Sequence, residues 1–163
     1  MLGSTDGSRA KGAVQLSARL RGVSPPVIRR LLITEQSSLA ELHATLQVSF
    51  GWSDQHLYCF QIRGWKFGDP ARAIELALAG GGVDIPLAAF EFDIWEPFLY
   101  QYNLLVPWEI ECRIEARGLI RWRRSTLNGP LSIPATSAVT YDDQRHDFEV
   151  RDDSSVRLVP SIT

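Results

Sequence analysis

The chain has 163 residues, of which 45% are hydrophobic and 22% charged, and its formal net charge at neutral pH is -2. A chain of this size can bury one sizeable core, so we expect a single domain over residues 13–163. The small net charge gives no global electrostatic reason to bind nucleic acid or an anionic membrane. Two cysteines, Cys59 and Cys112, are too few for a disulfide framework, which indicates reduced thiols and a cytoplasmic location.

The two ends of the chain carry the weakest structural signals. Residues 1–12 are small, polar and glycine-rich, so we expect a flexible tail without the apolar segment of a secretory signal. No later run reaches the roughly 18 apolar residues needed to cross a bilayer, and we expect no membrane association. Residues 125–163 are loosely specified, although short edge strands are predicted at 138–141 and 156–159.

The strongest signal in the chain is a helix at about residues 39–50. Ser38 and Glu41 stand three residues apart at the start of an apolar period, which is the spacing of a capping box. Gly51 is suited to the left-handed conformation that ends a helix. One side of the 3.6-residue period is apolar and should pack on a sheet; it consists of Leu39, Leu42, Leu46 and Phe50.

Alternating apolar and polar residues predict strands on both sides of this helix. The predicted strands cover residues 14–20, 27–33, 56–63, 97–103, 108–117 and 119–124. Gly64 to Gly68 is interpreted as a glycine-bracketed aromatic turn. A second helix is predicted at about 70–79, because Asp69 can cap it and Pro70 suits its first position. Together these elements predict an α+β fold in which both helices pack on one antiparallel sheet.

Two segments share residue types and spacing with a known family. The first reads Arg21-Gly22-x-x-Pro25-Pro26-x-Ile28-Arg29-Arg30, and the second reads Leu39-x-x-Leu42-His43-x-x-Leu46-Gln47-x-x-Phe50-Gly51-Trp52-x-Asp54-x-His56-Leu57-x-x-Phe60. With Gly68-Asp69 they resemble the plasmid open-reading-frame-three family, first named on a rhizobial Ri plasmid. The resemblance covers residues 14–117 and implies a compact α+β protein of plasmids and insertion elements. It also carries a resolvase-like (TnpR-like) label, with no established activity.

The chain departs from the family pattern at one turn, which usually reads Tyr-Asp-Phe-Gly-Asp-x-Trp-x-His. Here the sequence is Tyr102-Asn103-Leu104-Leu105-Val106-Pro107-Trp108-Glu109-Ile110, without the acids, the glycine and the histidine. The family's later cysteine and its Pro-Pro-Glu-Asp segment have no counterpart after Gly118. A polar site that relied on this turn would lose these residues, and the resemblance implies either a divergent member or one with a different carboxy-terminal elaboration.

Four residues near the central helix could be considered as metal ligands: His43, Asp54, His56 and Cys59. Their side chains suit a zinc-like ion, but their spacing matches no established motif. A histidine bonded to the backbone or to Asp54 explains the same residues without a metal. A thiol nucleophile needs a cationic or helix-terminal setting, whereas both cysteines lie on predicted strands. We therefore assign no catalytic residue, metal or cofactor and favour a protein that is not an enzyme, with a metal-dependent or thiol enzyme as the weakest alternative.

Two basic clusters are the candidates for nucleic acid binding, because guanidinium groups pair with phosphates and tryptophan can stack on bases. They consist of Arg29, Arg30, Arg121, Trp122, Arg123 and Arg124. The outward-facing Glu109, Glu111 and Glu115 on a predicted strand would neutralise part of this charge. A resolvase would need a serine or tyrosine nucleophile among arginines and a separate helix-turn-helix module, and we can place neither in this sequence, whose serines lie mainly in caps, turns and tails. We expect no recombinase activity and at most weak, sequence-independent DNA binding.

The function that the sequence favours is a protein-interaction module with an unknown protein partner. Trp65 and Phe67 lie between glycines in the predicted turn, so we expect both side chains to be exposed. Exposed aromatic side chains commonly anchor protein interfaces.

We predict that protein purified without a chelator contains no stoichiometric metal. The spacing of His43, His56 and Cys59 lacks a tetrahedral ligand set. Elemental analysis of the purified chain measures this directly. One zinc per chain, lost on the substitution His56→Ala, would overturn the prediction.

Overall fold

The computed structural model describes residues 11–72, 80–122, 137–142 and 147–152, and the strands beyond residue 119 by their backbone alone. The chain divides into two compact units, Val14–Ala116 and the combination of Met1–Ala13 with Arg117–Thr163. The elements in chain order are β1 (Lys11–Leu20), β2 (Val27–Thr34), α1 (Leu39–Phe50), β3 (Tyr58–Ile62), β4 (Trp65–Gly68), β5 (Pro97–Tyr102), β6 (Trp108–Trp122), β7 (Ser137–Asp142) and β8 (Asp147–Asp152). Two short 3-10 helices cover Pro70–Arg72 and Leu87–Phe90.

The strands of the unit Val14–Ala116 follow the order β2-β1-β6-β5-β3-β4. Strand β5 is antiparallel to both β3 and β6, and β4 is antiparallel to β3. The outer edge of β4 is covered, because Gly68 donates to the carbonyl of Gly81 and Gly80 donates to that of Lys66. In the other unit β7 pairs antiparallel with β8, and β8 runs parallel to Leu119–Trp122 of β6.

Helix α1 begins and ends as its sequence predicts. The Glu41 amide donates to Ser38 Oγ at 3.2 Å, and the Ser38 amide donates to the Glu41 carboxylate at 2.8 Å, which completes the capping box. Gly51 adopts a φ of 71°, and the amide of Trp52 donates to the carbonyl of Gln47 at 2.8 Å. A left-handed residue followed by this backward bond is the usual glycine stop of a helix.

The apolar side of α1 packs on one face of the sheet. Leu39, Leu42 and Leu46 are fully buried, and Phe50 packs against the core at its margin. Along each strand every second side chain points to the same face of the sheet, and these side chains form the other half of the core. Those that are almost fully buried include Leu16, Phe60, Ile62, Tyr100, Ile110, Cys112 and Ile114.

The expected α+β fold with two helices packed on the sheet is wrong. The described chain is a largely antiparallel sheet with one α-helix, α1. At the predicted second helix, Asp69 Oδ1 accepts from the amide of Ala71 at 2.9 Å, and only the single turn Pro70–Arg72 follows in the described part; residues 73–79 lie outside it. Strand content is higher than expected because β4 forms and β6 continues for 15 residues.

The segment interpreted as an aromatic turn is the second strand of a hairpin. Arg63 and Gly64 form a two-residue loop between β3 and β4, with φ values of 49° and 82°. Positive φ at both loop residues matches the right-handed twist of the flanking strands. The turn therefore lies at Arg63–Gly64, and Trp65–Gly68 continues as strand β4.

The remaining element predictions have mixed outcomes. Strands at 14–20, 27–33, 97–103 and 108–117 are confirmed, and β7 confirms the strand at 138–141. Gly118 does not interrupt β6, and β8 was not expected. The predicted tail at residues 1–12 is wrong at Lys11 and Gly12, which belong to β1. Residues 1–10 and the predicted strand at 156–159 lie outside the described residues. Within the described part of the chain, no helix is both long and apolar enough to cross a membrane.

We predict that Leu46→Ala lowers the free energy of unfolding by about 2–5 kcal/mol, because it empties a fully buried leucine site. Val48→Ala on the same helix is the matched control, since Val48 is 80% exposed and should change stability by less than about 0.5 kcal/mol. Reversible denaturant unfolding measures both variants. Equal effects of the two substitutions would contradict the assigned packing face.

Candidate functional site

His43 lies at the centre of a buried hydrogen-bond network between α1 and β5. Its Nδ1 lies 2.8 Å from the hydroxyl of Tyr100, and its Nε2 lies 2.8 Å from Oδ1 of Asp54. Gln47 donates from Nε2 to the same tyrosine hydroxyl at 2.8 Å and accepts from the amide of Asp54 at 3.0 Å. Residues four apart share one helix face, so His43 and Gln47 place two polar side chains together on the packed side of α1.

The hydrogen bonds of this network require a neutral imidazole. A carboxylate only accepts, so Nε2 of His43 carries the hydrogen that is donated to Asp54. The Tyr100 hydroxyl accepts from Gln47 and has one hydrogen of its own, which it donates to Nδ1 of His43. A proton on Nδ1 would leave that hydroxyl hydrogen without an acceptor. In agreement, burial lowers the pKa of His43 and outweighs the opposite effect of Asp54.

Two tyrosines of the sheet, Tyr58 and Tyr100, contact His43. The ring of Tyr58 stacks on the His43 imidazole, with centroids 3.5 Å apart and planes 6° apart. Tyr100 is fully buried, and burial raises its pKa. Burial also raises the pKa of Tyr58 to about 12. Both phenols stay protonated at neutral pH, and Tyr100 is closed to any substrate.

Asp54 forms the exposed end of the network. Its side chain is 60% exposed, and its φ of 53° lies in the left-handed region that aspartate tolerates better than most residues. The Gln47 side chain supports this conformation by accepting from the Asp54 amide. His43, Gln47 and Asp54 therefore hold the chain that follows α1 in place.

The four candidate metal ligands do not come together. The structure confirms the bond between His43 and Asp54, but His56 is exposed and meets the ring of Tyr102 edge-on at 5.6 Å. Cys59 is buried, and its Sγ lies 3.5 Å from Oε1 of Gln101. Among the side chains that the structure describes, no three of His, Cys, Asp or Glu form a group that could hold a metal ion.

The two cysteine thiols are poor nucleophiles in this setting. Burial raises the pKa of Cys59, against a weaker opposite effect of Lys66. Burial also raises the pKa of Cys112, which is fully buried. A reactive cysteine needs the thiolate form and access to its substrate, and these positions provide neither.

Arg29 and Arg30 do not form one basic patch. Arg29 donates from Nε to the carbonyl of Ser49 at 3.1 Å, and its guanidinium lies 5.6 Å from the centroid of the Phe50 ring. Arg30 donates from Nε to Glu115 at 2.9 Å on the other side of the strand. The side chains of Arg121, Trp122, Arg123 and Arg124 lie outside the described part of the chain, so nucleic acid binding stays a prediction.

The acidic side chains of β6 are paired, in line with the alternation of the sequence. Arg21 lies 3.2 Å from Glu109, and Arg113 donates to Glu111 at 2.9 Å. Two clefts of about 220 Å³ and 400 Å³ adjoin these acids and share Arg21 and Gly22 in their walls. Neither cleft is lined by a histidine, cysteine or hydroxyl side chain.

The two aromatic residues proposed as interface anchors, Trp65 and Phe67, both lie on β4 but differ in exposure. Phe67 is only 8% exposed, and its ring meets that of Phe90 edge-on at 5.2 Å. Gly80 packs so closely on this ring that an added Cβ would lie 2.5 Å from it. The expected exposure of Phe67 is wrong, because the hairpin turns its side chain into the core. Trp65 stands at the hairpin end and is 56% exposed, as expected.

The structure places two further exposed apolar side chains before β5. Ile94 is 45% exposed and Trp95 is 55% exposed. Trp95 has a φ of 68°, which bulky residues rarely adopt, and its amide donates to the carbonyl of Ile114 at 2.8 Å. The sequence around residues 84–95 had mixed signals and indicated only a short helical turn and a loop, so it did not reveal this pair.

An ion pair joins the loop of Trp95 to the hairpin of Trp65. Arg63 donates from two nitrogens to the two carboxylate oxygens of Glu96, at 2.7 and 2.9 Å. The amide of Asp93 donates to the same carboxylate at 2.9 Å. We refer to Trp65, Ile94 and Trp95 together as the tryptophan surface.

The hairpin between β5 and β6 carries a second group of exposed apolar residues. Leu105 is 95% exposed, Val106 is 70% exposed and Trp108 is 44% exposed. The Trp108 ring lies 6.3 Å from that of Trp52, which stacks on Tyr102 at 5.0 Å. This turn lacks the acidic residues of the family pattern and carries apolar side chains instead.

Comparison with known proteins places this architecture in a family. Residues 12–126 match the family described as plasmid pRiA4b ORF-3-like protein. The chain belongs to the pRiA4b ORF-3-like family. The resemblance seen in the sequence is thereby confirmed, and the match covers α1, β3 and the hairpin that carries Trp65.

Two similar proteins are described without a function. Uncharacterized protein y4hQ of Sinorhizobium fredii (strain NBRC 101917 / NGR234) is 32% identical over 134 residues, which are 80% of this chain and 65% of that protein. The crystal structure of a protein of unknown function, MM3350 from Methanosarcina mazei Go1, is similar with a TM-score of 0.58 and 23% identity, over 74% of this chain and 67% of that one. The likeness to MM3350 shows the fold alone. Neither description names an activity, so the resolvase-like label gains no support.

We predict that stability falls as the pH drops below about 6.5, partly because of His43. Its pKa is lowered in the folded state from an ordinary value of 6.5, so below that value the unfolded chain binds more protons. Above pH 6.5 the imidazole is neutral in both the folded and the unfolded chain, so its full contribution to stability is present. Denaturant unfolding at several pH values should show that the free-energy difference between wild type and His43→Gln shrinks as the pH falls.

His56→Gln is the matched control for this pH experiment, because His56 is exposed and lies outside the network. This variant should keep the pH dependence of the wild type. If His43→Gln also kept the pH dependence of the wild type, the assigned protonation state of His43 would be wrong.

Proposed function

We propose that this chain is a non-enzymatic binding domain that docks a protein segment on the tryptophan surface of Trp65, Ile94 and Trp95. The observation that carries the proposal is that two exposed tryptophans lie on segments joined by the bidentate ion pair of Arg63 and Glu96. Tryptophan is among the residues that contribute most to binding energy at interfaces. Isolated exposed apolar residues are common, whereas two exposed tryptophans and an isoleucine on segments joined by an ion pair favour a docking site.

The backbone around the surface favours binding without large rearrangement. Trp95, Arg63 and Gly64 all have positive φ values, and the first two are strained relative to most non-glycine residues. The Arg63–Glu96 bonds and the bond from Trp95 to Ile114 hold this conformation. A surface that is already ordered loses less conformational entropy when a partner binds.

An enzymatic role has weaker support from the same structure. His43 is neutral with both ring nitrogens hydrogen-bonded, and Tyr100 is buried. Both thiols have raised pKa values because of burial. Arg29 and Arg30 have partners in the fold, so the described side chains offer no specific observation in favour of a nucleic acid interface.

We predict that a random peptide library displayed on phage yields binders to the wild-type chain that depend on the tryptophan surface. Counter-selection on the double variant Trp65→Ser/Trp95→Ser removes peptides that bind elsewhere. For the tightest selected peptide, Trp95→Ser should weaken the Kd by about 30-fold or more, the usual effect of losing a central anchor. Fluorescence anisotropy with the labelled peptide measures it.

Leu105→Ser is the matched control for this experiment, because Leu105 is 95% exposed and belongs to the other apolar group. It should leave the Kd within about twofold of the wild type. Circular dichroism of all variants shows whether the fold is retained. Failure to obtain peptides that distinguish the wild type from the double variant would overturn the proposed function, as would binders that lose affinity with Leu105→Ser but not with Trp95→Ser.

A further inference from the structure

We infer that the segment bound at the tryptophan surface is basic, with lysine or arginine beside an apolar side chain. This inference rests on the proposed docking function and adds the chemical class of the partner. It follows from the carboxylates that act on Arg63 and stand close to Ile94 and Trp95 in the chain.

Three carboxylates act on one guanidinium at this surface. Glu96 forms the hydrogen bonds to Arg63, and Asp93 and Glu91 add attraction through space; together they raise the pKa of Arg63, with the Glu96 bond as the largest cause. Glu91 and Asp93 are exposed, and neither carboxylate forms an ion pair with another side chain of the described residues. The surface therefore carries two negative charges that Arg63 does not compensate.

Two neighbouring cations of the sheet are directed elsewhere. Lys66 follows Trp65 on β4, and strand alternation places its side chain on the opposite face, where it acts on the thiol of Cys59. Arg113 stands opposite Pro97 in the register of β5 and β6 and donates to Glu111 at 2.9 Å. Neither Lys66 nor Arg113 forms an ion pair with Glu91 or Asp93 in the described part of the chain.

A basic side chain of the partner gains two kinds of interaction here. Its charge is attracted by the carboxylates of Glu91 and Asp93, which accelerates association and excludes acidic competitors. Its cationic group can also lie over the face of an exposed indole, where cation–π attraction adds to the contact. An adjacent apolar side chain would cover Ile94. Nucleic acid and anionic lipid carry the wrong sign of charge for this surface.

The sequences of the selected peptides provide the first test. We expect the peptides that depend on the tryptophan surface to be enriched in Lys and Arg over the unselected library. A copy of the tightest peptide with every Lys and Arg replaced by Gln should bind at least about tenfold more weakly at low salt. Peptides that need Trp95 but are neutral or acidic would overturn the inference and leave the proposed function standing.

Substitutions on the protein provide the second test. The double variant Glu91→Gln/Asp93→Asn should weaken the Kd for the tightest basic peptide by about three- to tenfold at low salt and flatten its salt dependence. Asp84→Asn, which removes another exposed carboxylate, should leave both unchanged. An unchanged Kd in the double variant would overturn the inference.

Self-association is the competing occupant of the same surface. Sedimentation equilibrium of the wild type and of Trp95→Ser distinguishes it, and we expect both to have the same molar mass. A wild-type dimer that Trp95→Ser converts to a monomer would show that a second copy of the chain covers the surface, and it would overturn the inference of a basic partner.

Discussion

The fully buried hydroxyl of Tyr100 sets the arrangement on which the rest of the structure depends. A buried polar group without partners costs about 1–3 kcal/mol, so this hydroxyl has to be bonded within the core. His43 and Gln47 provide both bonds from adjacent turns of α1. Rotating the helix by one residue, about 100°, would remove both of them. The hydroxyl therefore selects one orientation of α1 on the sheet, which leucine packing alone would specify less sharply.

The same network extends from the core to the surface through the chain after α1. Gln47 and His43 both hold Asp54, and the Trp52 amide bonds to the Gln47 carbonyl, so the helix end, the following segment and β5 are joined. The polar groups of this network bond to one another within the core. Exposed apolar side chains lie outside the network, on the two segments that the Arg63–Glu96 pair joins and on the hairpin between β5 and β6.

Local signals in the sequence predicted the elements whose stabilising contacts lie close together in the chain. The capping box of Ser38 and Glu41 and the stop at Gly51 need partners only three to five residues away, and both were predicted correctly. The hairpin of β3 and β4 was missed because Arg63 stands where the favoured loop has asparagine or aspartate. Its left-handed conformation is accompanied by bonds to Glu96, 33 residues further along the chain.

The sequence by itself determined the buried side of α1, the alternation of β1, β5 and β6, and the family to which the chain belongs, because periodicity and short spacings can be read without knowing any distant contact. Only the tertiary structure decided that Phe67 is buried while Trp65 is exposed, since both follow the same alternation and differ in what covers them. It also decided that Cys59 and His56 stay apart and that Trp95 stands beside the partners of Arg63. Such juxtapositions depend on strand order and register, which bring residues far apart in the chain to one edge of the sheet.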